Sequence, residues 1–291
     1  MKKRNVLNSP RLSALKKKRR RDLLNKVLIY FVIFLIFFVG LIFISRIDKL
    51  NVNTIIITGN KVVDTEAINK IVEENIFGYY LYFIPKSNFL LVPKNKIKND
   101  LTNQYKRLQN ISFNTENPNV LAISLSEREG KYIWCGESMP DFSLEAEEKP
   151  CYFTDQEGYI FDLAPYFSGD VYFKFFGPLG LNEGESPLGL YFSKDIFTKL
   201  VSFKNILVDF DLKPNSVLVK NNGDIEIYLS SSNKTNPPRI VLKSDFDLDK
   251  SSENLQAALA TEPLKSDIKN KYSSLLYIDL RLGNKVYFKF Q

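Results

Sequence analysis

The chain has 291 residues, a formal net charge of +7, two cysteines and no histidine. Without histidine the chain lacks the commonest general base, the Ser-His and Cys-His nucleophile pairs and the commonest zinc ligand, and two cysteines are too few for a cysteine-rich metal site. It also lacks the phosphate-loop, dinucleotide-binding and nucleophile-elbow motifs, so we expect no catalytic residue, no cofactor-binding residue and no metal ligand.

The longest apolar run of the chain, VLIYFVIFLIFFVGLIFI, covers residues 27–44. At about 1.5 Å of helix rise per residue, this run is long enough to cross a hydrocarbon core of about 30 Å. A core helix would carry a polar stripe, and a cleaved signal peptide would have a shorter apolar region followed by small residues. The run has neither feature, so we predict a single transmembrane helix over residues 27–45.

Charge is distributed unevenly around this run. Residues 1–26 carry eleven basic side chains and the single acid Asp22, whereas only Arg46 and Lys49 follow closely on the other side. The positive-inside rule therefore predicts a cytoplasmic tail at 1–26 and an extracytoplasmic remainder. Residues 27–291 keep 29 basic and 32 acidic side chains and a net charge of −3, which argues against nucleic-acid binding. We expect the tail to attract anionic lipid, and roughly its first twenty residues to be unstructured.

The segment after the apolar run predicts a small α+β domain over residues 51–128. Its helices show apolar residues at helical spacing, and its strands alternate apolar and polar residues. An aromatic stretch at 79–83 lies between the helices and is expected to be a loop. The predicted elements are, in chain order, a strand at 52–58, a helix around 68–76, a helix from Pro93, and strands at 108–114 and 120–127.

The remainder, residues 129–291, reads as a mostly antiparallel β domain with flanking helices. The turns DQEG at 155–158 and NNGD at 221–224 favour hairpins. Helices are predicted at 194–203, at 252–261 and after Pro263. The predicted strands lie at 131–135, 152–154, 159–161, 217–220, 225–229, 240–243, 275–282 and 286–290.

Cys135 and Cys151 are 16 positions apart and flank an acidic insert at 136–150. Both lie on the predicted outer side of the membrane, where disulfides persist. A bond between them would close the insert into a loop and contribute about 3 kcal/mol. Two separate buried thiols are the alternative.

Five features in this order resemble the FtsQ/DivIB family of bacterial cell-division proteins. They are the basic tail with one anchor, IIITGN at 55–60, ENPNVLAISLSERE at 116–129, FTDQEGYIFD at 153–162 and YIDLRLGNKVYFKF at 277–290. The resemblance implies that 51–128 is a POTRA domain and 129–291 the β domain of the family. It further implies a non-enzymatic scaffold of the division septum in the plasma membrane, whose partners are the small coiled-coil proteins FtsB (DivIC) and FtsL.

The last strand is the predicted partner-binding element, because an edge strand leaves unpaired N–H and C=O groups to which a partner segment can add. Alternation places Val286, Phe288 and Phe290 on one face and Tyr287 and Lys289 on the other. We expect the first face to pack on the core and the second, with Arg281 nearby, to meet an acidic partner. The predicted partner-binding residues are Arg281, Leu282, Tyr287, Phe288, Lys289 and Phe290.

Two other functions stay open. The chain has 33 acidic residues, and a membrane-anchored cell-wall hydrolase needs only two of them about 5–10 Å apart. A secretion or assembly component bearing a POTRA domain is the other alternative. For the terminal hairpin, the alternative to partner binding is that it only completes the core.

Overall fold

The structure is a computed structural model that describes residues 10–115, 117–140, 150–167, 169–182, 184–231 and 236–291. It is an α+β protein in which one long apolar helix precedes a body rich in β-sheet. The chain divides into two compact units. One unit contains Met1–Leu101 with Asn110–Leu125, and the other contains Thr102–Gln109 with Ser126–Gln291.

Helix α1 covers Pro10–Ser45 and therefore begins well before the apolar run. The expectation of an unstructured tail was wrong from Pro10 onward. Lysine, arginine and leucine are good helix formers, and proline is favoured in the first turn of a helix, so the basic segment continues the apolar helix. No residue in the most apolar window of α1 is fully buried, and the helix is long and apolar enough to cross a membrane.

The first unit contains a three-stranded sheet and two helices. The elements from α1 onward are β1 (Thr54–Thr58), α2 (Thr65–Ile76), β2 (Tyr79–Tyr80), β3 (Ile84–Pro85), α3 (Lys94–Gln104), β4 (Leu108–Asn114) and β5 (Val120–Glu127). The sheet order is β1-β5-β4, and β1 runs parallel to β5. The predicted order of strand, helix, helix, strand, strand is thus present. The pair β2–β3 replaces the expected aromatic loop.

Local sequence explains where α2 begins. The Asp64 side chain accepts a hydrogen bond from the backbone of Glu66, which caps the helix. Before it, Gly59 has φ of 96°, and a Cβ there would lie 1.9 Å from the carbonyl oxygen of Leu125. Only glycine fits, so this turn lets the chain leave β1 close against β5.

The second unit is built on one large sheet. Its elements are β6 (Tyr132–Trp134), β7 (Tyr152–Thr154), β8 (Ile160–Leu163), β9 (Lys174–Phe176), α4 (Lys194–Asp209), β10 (Pro214–Val219), β11 (Asp224–Leu229), β12 (Arg239–Lys243), α5 (Leu248–Ala260), α6 (Leu264–Lys271), β13 (Leu275–Leu282) and β14 (Lys285–Phe290). The nine strands have the order β14-β13-β12-β11-β10-β9-β6-β7-β8.

The pairing in this sheet is mixed. Five of the neighbouring pairs in the described residues are antiparallel, and the pairs β9/β10, β12/β13 and β6/β9 are parallel. Strand β9 was not predicted. It lies inside the sheet with Phe175 and Phe176 both buried, and a strand buried on both faces does not show the alternation that sequence reasoning relies on.

A core of large side chains holds the helices to this sheet. Phe175, Phe192 and Phe197 are fully buried, and the rings of Phe175 and Phe197 have centroids 4.7 Å apart. Each such side chain contributes about 1.5–3 kcal/mol through burial. Helix α5 inserts the fully buried Leu255 and packs against β13 and β14, so the terminal strands rest on a helix.

Cys135 and Cys151 are joined by a disulfide, with their sulfur atoms 2.02 Å apart. The bond connects the end of β6 to the start of β7, which are neighbouring antiparallel strands. The flanked insert at 136–150 lies mostly outside the described residues, since 141–149 are among those that the structure does not describe. The disulfide therefore fixes the two ends from which the insert departs.

Candidate functional site

The candidate site is the terminal hairpin β13–β14. Its strands pair antiparallel, with Ile278 opposite Phe288, and β14 has no strand on its outer side within the described residues. The turn uses Gly283 at φ of 68°, and the Asn254 side chain of α5 donates a 2.8 Å hydrogen bond to the Gly283 carbonyl oxygen. The hairpin is thus held at its turn by the helix beneath it.

The inner face of β14 packs on the core, as alternation predicted. Val286, Phe288 and Phe290 are half-buried against the core of the second unit, and the rings of Phe288 and Phe290 meet edge to face at 6.1 Å. The inner face therefore completes the core. Phe288 and Phe290 could meet a partner only with the part of each ring that remains exposed at the sheet edge.

The outer face is open and positively charged. Tyr287 is 48% exposed, Leu282 is also exposed, and Lys285 and Lys289 have no ion-pair partner among the described residues. Lysines on an edge strand are one way in which proteins prevent unwanted pairing of that edge. They also provide the charge that would attract an acidic partner strand.

Arg281 has a different environment from the one predicted. Its guanidinium donates to Asp279 Oδ2 at 2.7 Å and to Asp224 Oδ2 at 2.8 Å, so two carboxylates neutralise it within the sheet. The hydrogen bonds from Arg281 lower the pKa of Asp279, and they outweigh the opposing effect of burial. Charge pairing inside the sheet thus engages Arg281, and its predicted role in partner binding stays a prediction.

The arginine sits at an irregularity in the hairpin. The register of β13 against β14 shifts between Asp279 and Leu282, and the backbone N–H of Arg281 donates to Asp279 Oδ1 at 3.0 Å. The extra residue makes a bulge, which raises local twist and changes the direction of the following side chains. Asp279 and Arg281 thus determine how Leu282 and the turn are presented.

Sequence reasoning missed the two aspartates. Asp279 and Arg281 are two residues apart on one strand, so they share a face, and this spacing could have revealed the pair. Asp224 is 57 positions from Arg281 and has no comparable signal. The contact exists because β11 and β13 are both neighbours of β12 in the sheet.

Other carboxylates of the second unit form ion pairs or hydrogen bonds with neighbouring side chains. Asp162 pairs with Arg107 at 2.8 Å, and Asp155 pairs with Arg128. Burial alone would raise the pKa of Glu226, but hydrogen bonds from Lys220 and Tyr228 outweigh burial and lower it. Among the described residues no group of three or more His, Cys, Asp or Glu could hold a metal ion.

Comparisons with known proteins leave the site without an inherited assignment. No protein-family model matches the chain, and no curated protein matches it. Any functional assignment therefore depends on the residues and the geometry described above.

Proposed function

We propose that the protein is a non-enzymatic, single-pass scaffold of the bacterial division septum. It binds small coiled-coil membrane proteins of the FtsB (DivIC) and FtsL type through its extracytoplasmic β domain. The observation that carries this proposal is the outer edge of β14, which no strand of the described part of the chain pairs with. Tyr287 and Lys289 face outward on this strand, and its inner face is anchored in the core.

The order of sequence features supports the choice of family. The basic tail, the apolar helix, the IIITGN strand and turn, the DQEG hairpin and the terminal strand pair occur in family-like order. The helix α1, with its basic N-terminal half, supports a plasma-membrane anchor whose N-terminus is cytoplasmic. The first unit, with sheet order β1-β5-β4 and two helices, supports a POTRA domain that helps recruit the protein to the septum.

The binding mechanism is strand addition. An extended partner segment would pair its backbone with β14 and gain affinity from main-chain hydrogen bonds. Lys285 and Lys289 would attract acidic residues of that segment, and Tyr287 would contribute apolar contact area and a hydroxyl group. Arg281 acts indirectly, because it and Asp279 hold the bulge that orients Leu282.

The four carboxyl groups with a resolved pKa shift favour ion pairing over general-acid chemistry at those positions. A glycosidase needs a general acid whose pKa is raised. Every carboxyl group with a resolved shift in the described residues has a lowered pKa: Glu185, Glu226, Glu262 and Asp279. These groups stay charged at neutral pH, which suits ion pairing and recognition.

The test combines localisation with partner capture. The full chain, carrying a fluorescent protein at its N-terminus, is expected to form a band at midcell. Deletion of residues 286–291 should abolish co-purification of small single-span proteins from solubilised membranes. Because this deletion also removes side chains that pack on the core, Lys289→Glu, which keeps the inner face intact, separates loss of binding from loss of folding. Lys289→Glu should weaken capture, whereas Lys199→Glu, at an exposed position of α4, should not. Uniform membrane fluorescence, or full capture by the truncated chain, would contradict the proposal.

A further inference from the structure

An exposed apolar hairpin lies in the first unit. Tyr82 is 90% exposed, Phe77 is 82% exposed and Leu81 is 76% exposed. Single exposed apolar side chains are ordinary, but a contiguous group of large ones marks a surface that contacts something apolar. We call residues 77–83 the docking hairpin, and its further exposed members are Tyr79, Tyr80 and Phe83.

The turn at the tip of the docking hairpin carries residue types that such turns rarely contain. The N–H of Phe83 donates to the Tyr80 carbonyl oxygen at 3.1 Å, and the two central residues are left-handed, with φ of 49° at Leu81 and 67° at Tyr82. A turn with two left-handed residues normally carries Asn-Gly, because larger side chains are strained there. Bulky apolar residues are therefore placed at the tip against local preference, as is typical of functional sites.

Hydrogen bonds connect the hairpin to the end of α1. The Arg46 Nε donates to the Phe83 carbonyl oxygen at 3.0 Å, and its guanidinium lies 5.8 Å from the centre of the Tyr79 ring. Just beyond the hairpin, the buried Asn88 donates to the Ser45 carbonyl oxygen at 3.3 Å. The hairpin is thus hydrogen-bonded to the residue that follows α1, and the segment after the hairpin is hydrogen-bonded to the last residue of α1.

The level of α1 at which the hairpin lies determines how deep the hairpin would lie in a bilayer that α1 spans. Strand β3 lies beside α1, and Ile42, near the end of the apolar run, is half-buried. Ile42 is two residues before the last apolar residue, Ile44, or about 3 Å along the helix axis. A hairpin at this level would meet the boundary between hydrocarbon and headgroups, where aromatic residues are enriched in membrane proteins.

The charges around the hairpin match that boundary. Arg46 lies over Tyr79, and the Lys86 Nζ lies 5.9 Å from the centre of the Tyr80 ring. Long basic side chains beside aromatic rings can reach lipid phosphates while their stems stay on apolar surface. Cations flanking exposed aromatic rings favour a lipid surface over an apolar protein groove.

We propose that the docking hairpin inserts its aromatic tip into the outer headgroup region of the bilayer that α1 spans. The inference rests on the single-pass topology of the proposed function, and it adds a second membrane contact to the anchor. We identify lipid as the group that the hairpin contacts, because the exposed apolar surface of the hairpin lies beside the apolar end of α1 and continues its surface. Docking would hold the first unit against the bilayer surface.

The experiment uses the full chain in nanodiscs of phosphatidylcholine and phosphatidylglycerol, with and without bromine on acyl carbons close to the headgroup. Tyr82→Trp adds an indole at the tip, and the emission of Trp134 in the unsubstituted chain is subtracted. Bromine is expected to reduce the added emission about twofold, because interfacial side chains penetrate about 5–10 Å below the headgroup boundary.

Two matched variants separate the possible outcomes. Tyr30→Trp reports α1, and Val62→Trp reports an exposed site of the same unit in the segment between β1 and α2. Quenching at Tyr30 and Tyr82 but not at Val62 supports the proposal. Quenching at Tyr30 alone overturns docking and leaves the anchor intact, as expected if the hairpin instead binds another protein. Equal quenching at Tyr82 and Val62 also overturns it, and no quenching at Tyr30 overturns the topology itself.

Discussion

The hairpins β2–β3 and β13–β14 both expose aromatic side chains, but they differ in what supports them. The terminal hairpin has glycine at its left-handed turn position, an inner face packed on the core and lysines on its outer face. The docking hairpin has Leu81 and Tyr82 at left-handed positions and two exposed tyrosines in β2. The outer face of the first is charged and suited to an aqueous or polar environment, whereas the exposed side chains of the second suit an apolar one.

The largest effect is expected from removing a buried side chain of the terminal hairpin itself. Ile278→Ala should lower the free energy of unfolding by about 2–5 kcal/mol, because a fully buried side chain leaves a cavity. Tyr82→Ala in the docking hairpin should change the free energy by less than about 0.5 kcal/mol, as is usual for an exposed site. Urea unfolding of the full chain in detergent, followed by circular dichroism, compares them. Similar losses of stability in Ile278→Ala and Tyr82→Ala would contradict the proposed difference between the two hairpins.

Arg281 provides the next largest effect. Arg281→Ala should cost about 1–3 kcal/mol, because Asp279 is left buried without its partner. Urea unfolding followed by the fluorescence of Trp134, which belongs to the same core, measures the loss. Lys199→Glu is the control and should leave the midpoint unchanged. An unchanged midpoint in Arg281→Ala would show that the arginine does not hold the bulge.

The same pair predicts a pH dependence of stability. Because Arg281 lowers the pKa of Asp279 below its ordinary value of 3.8, the pairing stabilises the fold fully above that value. The stabilisation is lost as the pH falls through the lower pKa of the folded state. Arg281→Ala should therefore flatten the acid limb of the stability profile, measured by urea unfolding from pH 7 down to about 2. Parallel limbs in both chains would argue against the assignment.

Substitutions in the two turns should also distinguish the hairpins, with smaller effects on stability. Gly283→Ala should destabilise the chain by about 1 kcal/mol, because alanine is strained at positive φ. The double change Leu81→Asn with Tyr82→Gly should stabilise the first unit by a similar amount in detergent. In nanodiscs it should also remove the contact of the tip with lipid, measured as faster amide exchange at residues 79–85. A destabilised double variant would show that the tip packs on protein.

The smallest effect on stability belongs to the outer face of β14. Lys289→Glu should change the free energy of unfolding by less than about 0.5 kcal/mol, since the side chain is exposed and has no ion-pair partner among the described residues. Partner capture should nevertheless weaken, and capture by the unsubstituted chain should fall as salt rises, because exposed charges are screened. Capture that is insensitive to both changes would remove charge from the binding mechanism.

Sequence patterns predicted most of the regular elements. Strands β4, β5 and β13 have the predicted bounds, because each alternates and is flanked by turn residues. Strand β9 and the hairpin β2–β3 were missed. The first is buried on both faces, and the second carries leucine and tyrosine where turn rules expect Asn-Gly. Local sequence rules therefore failed at two places. Burial inside the sheet decides the structure of β9, and we propose that contact with lipid explains the residues at the tip of β2–β3.

At the candidate site, too, some features could be predicted from the sequence and others could not. Alternation alone placed Phe288 inside and Tyr287 outside, because the period of a strand is two residues. It could not show that Arg281 is neutralised by Asp224, since that contact depends on the order of strands in the sheet.

By itself, the sequence determined the apolar helix, the succession of most strands and helices, and the two faces of the last strand. These features follow from hydrophobic periodicity, which is a local property of the chain. Only the tertiary structure decided that the arginine pairs with Asp224 and that the aromatic segment is joined to the end of α1. Each of these contacts joins segments that are distant in the sequence, and packing and charge pairing across the fold determine which segments come together.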